Sequence, residues 1–492
     1  MTPPSEQFPS LIIRPDELEP QGAFAEAQAA YLTPDPAVTQ ELTELLRRNQ
    51  IGVVAHFYMD PELQGVLSAS EWPHIHISDS LAMADRAIGM VEAGVKTIVV
   101  LGVDFMSENV RAMLDAAGHD DVPVYRVASE PIGCTLADAA HSDAYRSFLE
   151  EAARTPASLH VIYINTSLLT KAEAHHLLPT LTCTSSNVVK TVLQATSQMP
   201  ELSVWYGPDS YMGDNLRTLF EGLAGMDERA VAAVHPSHTP ATVERVLERY
   251  HHFDQGTCVV HDLFGQHVVE TVEERYPDVF ITAHLEVPGE MFRLAFEAQM
   301  KDRGVIGSTS NILSFIGSKV DGAASLGSTR SGALDGGRLR FILGTEAGMV
   351  TSIVRRVQST LRDCRANGGP HIEAEIIFPV AAEAVSQTDD AELAIVPGAG
   401  AEGCSTAGGC ATCPYMKMNS LQALLELLPK ADRQHDAELE ALRPRKYVET
   451  IGGRAAADLG GEPILHMRHF QRTGALSDEL VTDIRTRNRP AS

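Results

Sequence analysis

Ten short apolar runs rich in β-branched residues punctuate this chain, separated by stretches long enough for helices. They are IGVVAHFY (51–58), TIVVLGV (97–103), VPVYRVA (122–128), HVIYIN (160–165), LSVWYG (202–207), TCVVH (257–261), VFITAHL (279–285), RGVIGS (303–308), RFILGT (340–345) and AEIIFPV (374–380). Continuous apolar runs of this length read as strands covered on both faces, and parallel strands need a helical crossover between them. One of the separating stretches, 349–364, places Met349, Ile353, Val354, Val357, Leu361 and Cys364 on one face at helical spacing. The alternation predicts an α/β fold built from βα units with parallel sheets.

Most of these runs end in a side chain capable of chemistry. His56 and Tyr58 close the first; Tyr163 and Asn165 close the fourth; His261 closes the sixth. His284 closes the seventh with Glu286 just beyond, and the eighth runs into Ser308 and Thr309. Open α/β sheets bind ligands beyond the carboxyl ends of their strands, so several strand ends are expected to serve one site. His284 and Glu286 flank a single residue and are expected on the same face of a strand.

The chain has 492 residues and a formal net charge of −26, with a sequence pI near 5.1. That acidity argues against nucleic acid, which demands a clustered basic surface. No apolar run is long enough for a membrane span, and the opening MTPPSEQFPS has neither basic residues nor an apolar core of the secretory kind. A cytoplasmic location is therefore expected. Residues 1–38 read as an accessory extension with a short helix near 22–31, and the tail beyond 430 reads as charged and peripheral.

Seven cysteines, at 134, 183, 258, 364, 404, 410 and 413, are too sparse and too odd in number for a disulfide framework. Cys364 continues the apolar stripe of its helix, and Cys183 ends a strand; both read as packing thiols. Cys134 opens a helix in EPIGCTLAD, Cys258 precedes His261 by three residues, and Cys413 follows Cys410 in EGCSTAGGCATCPYMKMN. Zinc would want two local pairs, and only one C-x-x-C exists. The spacing also misses the C-x-x-x-C-x-x-C of radical enzymes, since five residues separate Cys404 from Cys410. A cluster held by thiolates from remote parts of the chain stands beside zinc as the remaining chemistry.

A series of motifs resembles the quinolinate synthase family. In order they are AHFYMDPELQ (55–64), SDSL (78–81), LGVDFMSE (101–108), GCTLAD (133–138), YINTS (163–167) and CTSSN (183–187). After these come PDSYMGDN (208–215), GTCVVH (256–261), HLEVP (284–288), GSTSNIL (307–313), ILGTEAGM (342–349) and CPYMKMNSL (413–421). The resemblance implies three Rossmann-like α/β/α sandwich domains in a pseudo-threefold arrangement around a central iron–sulfur site. On this chain they would span 39–145 with Cys134, 146–262 with Cys258 and 263–417 with Cys413, leaving 1–38 as the extension and 418–492 as peripheral C-terminal helices and tail. It implies one 4Fe–4S cluster with Cys134, Cys258 and Cys413 as ligands and one open iron. The implied reaction is condensation of iminoaspartate with dihydroxyacetone phosphate to quinolinate, with loss of phosphate and two waters, in NAD biosynthesis. A transient contact with L-aspartate oxidase, which supplies the unstable imine, follows naturally.

Motif by motif, the resemblance assigns catalysis to Tyr58, Tyr163, His284 and Glu286, and substrate binding to His56, Ser80, Asn165, Ser185, His261, Ser308 and Thr309. Proton transfers in a condensation followed by dehydrations call for His and carboxylate groups. Both substrates are anionic, and the Ser/Thr turns 184–187 and 307–311 at helix starts offer hydroxyl and amide donors. Glu108 and Glu346 fall in motifs but are expected at helix starts or between domains. The rival readings are an aconitase-like iron–sulfur hydro-lyase and a non-catalytic metal-binding scaffold.

Overall fold

The computed structural model describes residues 7–326, 334–335, 337–379, 413–431 and 437–487. Cys404 and Cys410 lie outside the described residues. Within these limits the chain divides into two compact units. The first takes the described residues of Met1–Ile51, Ala55–Asp79 and Val259–Arg433; the second takes those of Gly52–Val54, Ser80–Cys258 and Gln434–Ser492.

The strand readings hold for nine of the ten apolar runs, with shifted bounds, and the sheets they form share one topology. Strand Ser158–Tyr163 lies between Thr180–Cys183 and Ser203–Gly207, with Tyr250–His252 beyond the latter, all parallel. Strand Phe280–His284 lies between Gly304–Gly307 and Arg338–Gly344, with Glu373–Ile377 beyond, again all parallel. A third sheet has the order Ile75–Ser78, Ile51–His56, Thr97–Leu101, Val124–Tyr125. Each time, the chain lays down an inner strand, steps to one side, then crosses to the other. This reversal opens a crevice at the carboxyl end of the inner strand, the usual ligand position in such sheets. The residues at those ends are His56, Tyr163 and His284.

The exception is TCVVH (257–261), expected as a strand. No strand forms there; His261–Phe264 is a 3-10 turn instead. The backbone of this segment is used by side chains and a helix start rather than by a ladder. Gly256 O accepts from both Ser210 N and Ser210 Oγ, at 2.7 and 2.6 Å, and Thr257 O accepts from Thr135 Oγ1 at 2.8 Å. Gly256 is pressed so close to Pro208 that a Cβ would stand 2.0 Å from the Pro208 carbonyl oxygen, so only glycine fits. The strand beside Ser203–Gly207 is the preceding YHH, Tyr250–His252.

Residues 1–38, read as accessory, contribute to the core of the first unit. Strand Ser10–Ile13 pairs antiparallel with Glu373–Ile377 and with Leu18–Gln21, extending the parallel sheet by a hairpin. Leu11 and Ile13 pack with Phe341, Ile353 and Val357 of the same hydrophobic cluster. The expected helix is present as Ala23–Tyr31. Register on this sheet is reinforced by charge: Glu375 accepts from Ser10 Oγ at 2.7 Å and Arg340 Nε at 3.1 Å. Helix Val350–Ala366 buries the stripe expected from its spacing, Ile353, Val354, Val357, Leu361 and Cys364 among it.

The tail likewise departs from its peripheral reading. Helix Ala456–Thr473 buries Leu459, Ile464, Met467 and Phe470 against helix Leu168–Leu177 and strand Thr180–Cys183 of the second unit. The approach is so close that a Cβ on Gly460 would stand 2.2 Å from the Leu168 carbonyl oxygen. Charged residues on its outer face (Glu462, Arg468 and Arg472 are not buried) masked this apolar stripe in the sequence. No described helix is long and apolar enough to cross a membrane.

A buried histidine makes the second unit acid-sensitive. His160 Nδ1 donates to the Trp205 carbonyl at 2.8 Å, so Nε2 accepts from the Tyr145 hydroxyl at 3.0 Å. Burial lowers its pKa from 6.5 to about 4, against the opposing Trp205 hydrogen bond. The unfolded chain therefore takes up a proton below pH 6.5 that the folded chain refuses until about pH 4. Unfolding free energy should fall as pH drops through this window, by on the order of 3 kcal/mol from this group, and be insensitive to it above. Urea unfolding midpoints between pH 7 and pH 4.5 check this, with His160→Gln expected to flatten the slope.

Candidate active site

In the first unit, strand ends and turns deliver five of the expected residues into one cluster, all buried except the half-buried Tyr58. His56 ends strand Ile51–His56, and Tyr58 follows, their rings 4.8 Å apart. Tyr58 in turn lies 6.1 Å from the His261 ring and 6.4 Å from the His284 ring. His261 and His284 stack at 4.9 Å with planes 15° apart. Glu286 reaches both: its Oε2 is 3.0 Å from His261 Nδ1, and its Oε1 is 3.6 Å from His284 Nδ1. His284 and Glu286 do meet, but not by strand alternation. The strand stops at His284, and a turn closed by Val287 N to His284 O carries Glu286 back over the ring.

Hydrogen bonds assign the imidazole tautomers. The Tyr58 amide donates to His56 Nδ1 at 3.2 Å, and the Glu286 amide donates to His284 Nδ1 at 3.4 Å. In both rings Nδ1 is thus an acceptor, and the proton of the neutral ring resides on Nε2. The same His-x-residue spacing produces both. The 3.6 Å approach of Glu286 Oε1 to His284 Nδ1 is accordingly not a hydrogen bond. His261 has the opposite tautomer, because its Nδ1 donates to Glu286.

Burial sets the charge state. His56 falls to a pKa of about 3 and His284 to about 4, both chiefly from desolvation, which the Glu286 carboxylate opposes. Both rings are neutral near pH 7 and act as hydrogen-bond donors rather than cations. Burial also pushes Tyr58 well above its usual range, with Glu346 and Glu286 adding to the effect, so its hydroxyl stays protonated. That hydroxyl lies 3.0 Å from Thr345 Oγ1 and also hydrogen-bonds Thr309.

Two residues of this cluster were not foreseen as members. Thr345 and Glu346 follow strand Arg338–Gly344, the strand on the far side of Phe280–His284. Glu346 is raised well above the carboxylate range by burial and then by Glu286, while the Cys413 amide hydrogen-bonds it. Its protonated form is thereby favoured beside Glu286. The available signal was positional: Thr345-Glu346 occupies the same post-strand place as Glu286 and Tyr58. Ser308 and Thr309 stand at the start of helix Thr309–Leu326, where the Ser308 amide donates to Asn311 Oδ1 at 2.9 Å.

The second unit holds the other expected residues. Tyr163 pairs in register with Cys183, so Asn165 and Ser185 both follow carboxyl ends of adjacent parallel strands. The Ser185 turn repeats the Ser308 turn, since the Thr184 amide donates to Asn187 Oδ1 at 2.9 Å. Ser80 opens helix Ser80–Glu92. Cys134 is the N-cap of helix Thr135–Ala139, and the Thr135 hydroxyl bond to the Thr257 carbonyl ties its segment to that of Cys258.

The thiols separate as donor chemistry requires. Cys134, Cys258 and Cys413 are half-buried, whereas Cys183 and Cys364 are buried. Burial raises the Cys183 thiol well above its ordinary range, which disfavours the thiolate. Within the first unit, His261 and Glu286 carry nitrogen and oxygen donors of the kind that hold a metal ion.

Comparison with known proteins bears on what this site does. The family model described as quinolinate synthetase A protein matches residues 40–362. The chain is 51% identical over 500 residues to a chloroplastic quinolinate synthase of Nicotiana tabacum, covering 99% of this chain and 68% of the relative. It is 52% identical over 495 residues to the chloroplastic quinolinate synthase of Arabidopsis thaliana, covering 98% of this chain and 68% of the relative. A quinolinate synthase of Prosthecochloris aestuarii is 30% identical over 268 residues, covering 54% of this chain and 64% of the relative. The plant names overturn the cytoplasmic expectation, which rested on the absence of a recognisable signal in the first residues. With strand-end His, Tyr and Glu side chains gathered as its motifs led one to expect, and with half its sequence shared with plant enzymes, the chain belongs to the quinolinate synthase family.

Proposed function

We propose that this enzyme condenses iminoaspartate with dihydroxyacetone phosphate, releasing phosphate and two waters to form quinolinate. The observation that carries the proposal is the set of buried His56, His261, His284 and Glu286 gathered around the half-buried Tyr58. The reaction moves protons on and off carbon, nitrogen and oxygen. This set offers a carboxylate, a neutral acid and imidazoles of both tautomers in a water-poor space.

Roles follow from protonation. Glu286 accepts from His261 Nδ1, which fixes the orientation and tautomer of that ring. His56 and His284 present Nε2–H groups to substrate oxygens, orienting them without positive charge. Tyr58 donates from its hydroxyl, and Tyr163 is the equivalent donor of the second unit. Asn165, Ser80, Ser185, Ser308 and Thr309 supply amide and hydroxyl donors for carboxylate and phosphate groups, which reconciles anionic substrates with an acidic protein. Such a reaction also requires hydroxide to leave carbon. A 4Fe–4S cluster held by Cys134, Cys258 and Cys413 would supply Lewis acidity for that step.

The repeated strand order supports three α/β/α domains, each contributing one cysteine, in a pseudo-threefold arrangement. The names of the plant relatives support a plastid location. A transient contact with L-aspartate oxidase would limit hydrolysis of the imine. The decisive experiment is an anaerobic preparation incubated with both substrates. Quinolinate should accumulate in step with consumption of dihydroxyacetone phosphate; a protein that leaves that ketone untouched is not acting in this way.

A further inference from the structure

Three buried polar residues of the second unit have no part in the chemistry above. Glu108, Lys171 and Tyr447 are 4%, 0% and 7% exposed. They meet behind the turn that joins strand Ser158–Tyr163 to helix Leu168–Leu177, the turn that carries Asn165. Lys171 Nζ donates to the carbonyls of Ile164, at 3.1 Å, and Thr166, gripping residues on both sides of Asn165. Glu108 divides its carboxylate. Oε2 accepts from the amide of Leu168, the first residue of the helix, at 2.8 Å; Oε1 accepts from the Tyr447 hydroxyl at 2.8 Å. Tyr447 also hydrogen-bonds Ser167, whose Oγ caps the helix through the Thr170 amide at 3.0 Å. Within the turn, Thr166 Oγ1 donates to the Tyr163 carbonyl at 3.1 Å, and the Thr166 amide to Ile164 O at 2.7 Å.

Packing does not require these groups. An ammonium without solvent costs several kcal/mol unless hydrogen bonds and a counter-charge offset it. Here burial lowers the Lys171 pKa to about 7 despite Glu108, so the arrangement is strained electrostatically as well. An aliphatic side chain would fill the same volume, beside Phe105, at less cost. What the polar set supplies is definition: the carbonyls and amides bordering Asn165 have fixed partners, and a connected buried network admits few alternative turn geometries.

We infer that Glu108, Lys171 and Tyr447 are positioning residues that brace the 164–168 turn so that Tyr163 and Asn165 face substrate, and that the C-terminal segment bearing Tyr447 is thereby a working part of the site. The inference rests on the reading of Asn165 as a substrate contact. It gives the tail a function beyond burial of its own apolar face. It also answers the expectation for Glu108, which does stand at a helix start, that of a helix distant in sequence.

Tyr447→Phe tests it with least disturbance, because the ring remains and one hydroxyl goes. In the anaerobic holoenzyme this variant should lose roughly tenfold in kcat/KM, the cost of one hydrogen bond expressed as misplacement. The loss should appear in the same kinetic constant that Asn165→Ala changes, with iron content unaltered. The double variant should lose less than the product of the two single losses, since both act through one turn. Lys171→Met should have the larger effect, and Tyr447→Phe alone suffices should Lys171→Met fail to fold. A Tyr447→Phe enzyme that melts earlier yet keeps kcat/KM, or a strictly multiplicative double variant, overturns the brace. An Asn165→Ala enzyme with normal kinetics instead removes the substrate-contact reading, and the brace's purpose with it.

Discussion

Glu286→Gln is expected to lower the rate of quinolinate formation by about 10²–10⁴-fold, the usual contribution of a positioned acid–base group, while iron content stays normal. Glutamine keeps the volume and can still accept from His261 Nδ1, which lies 3.0 Å from Glu286 Oε2. It loses the negative charge that faces His261. The same charge raises the pKa of Glu346 and opposes the lowered pKa of His56 and His284. Removing it leaves a neutral cluster that should fold at least as well as the native one, in keeping with active sites being held at some cost to stability. Anaerobic steady-state kinetics with iron and sulfide analysis separates the outcomes. Turnover near that of the native enzyme would take Glu286 out of the chemistry.

Substitution of the half-buried cysteines should be equally severe, through a different route. On the proposed three-thiolate ligation, Cys134→Ala, Cys258→Ala or Cys413→Ala should each abolish both iron–sulfur colour in an anaerobic preparation and quinolinate formation, because that ligation has no spare donor. Cys183→Ala and Cys364→Ala remove buried thiols and should retain both, at a cost of about 1 kcal/mol in unfolding free energy. The informative comparison is with Cys410→Ala. Loss of colour in that variant, with Cys413→Ala still brown, would refute the ligand assignment.

Strand ends were the most legible part of the site. His56, Tyr163 and His284 close apolar runs in the sequence and close strands in the structure, so a change of residue type at the end of a contiguous run marks the strand end directly. His261 was legible as a residue but not as an element: its segment resembles a strand by composition, yet its carbonyls are taken by Ser210 and Thr135. Such side-chain partners lie far away in sequence, and no local pattern records them. Thr345 went unassigned, and Glu346 was expected at a helix start or between domains rather than in the cluster, for a related reason. Their importance comes from strand Arg338–Gly344 lying next to Phe280–His284, a neighbour relation set by sheet topology rather than by proximity along the chain.

The sequence alone determined the α/β class, the helix stripe of Val350–Ala366 and the motif order that identifies the family, since periodicity and local motifs are properties of contiguous residues. Only the tertiary structure decided protonation and context. It made His56 and His284 neutral, gave His261 the opposite tautomer, turned the N-terminal segment into a sheet hairpin and set Tyr447 against Glu108. Each of those outcomes depends on desolvation or on partners brought together from distant parts of the chain, and these exist only once the chain has folded.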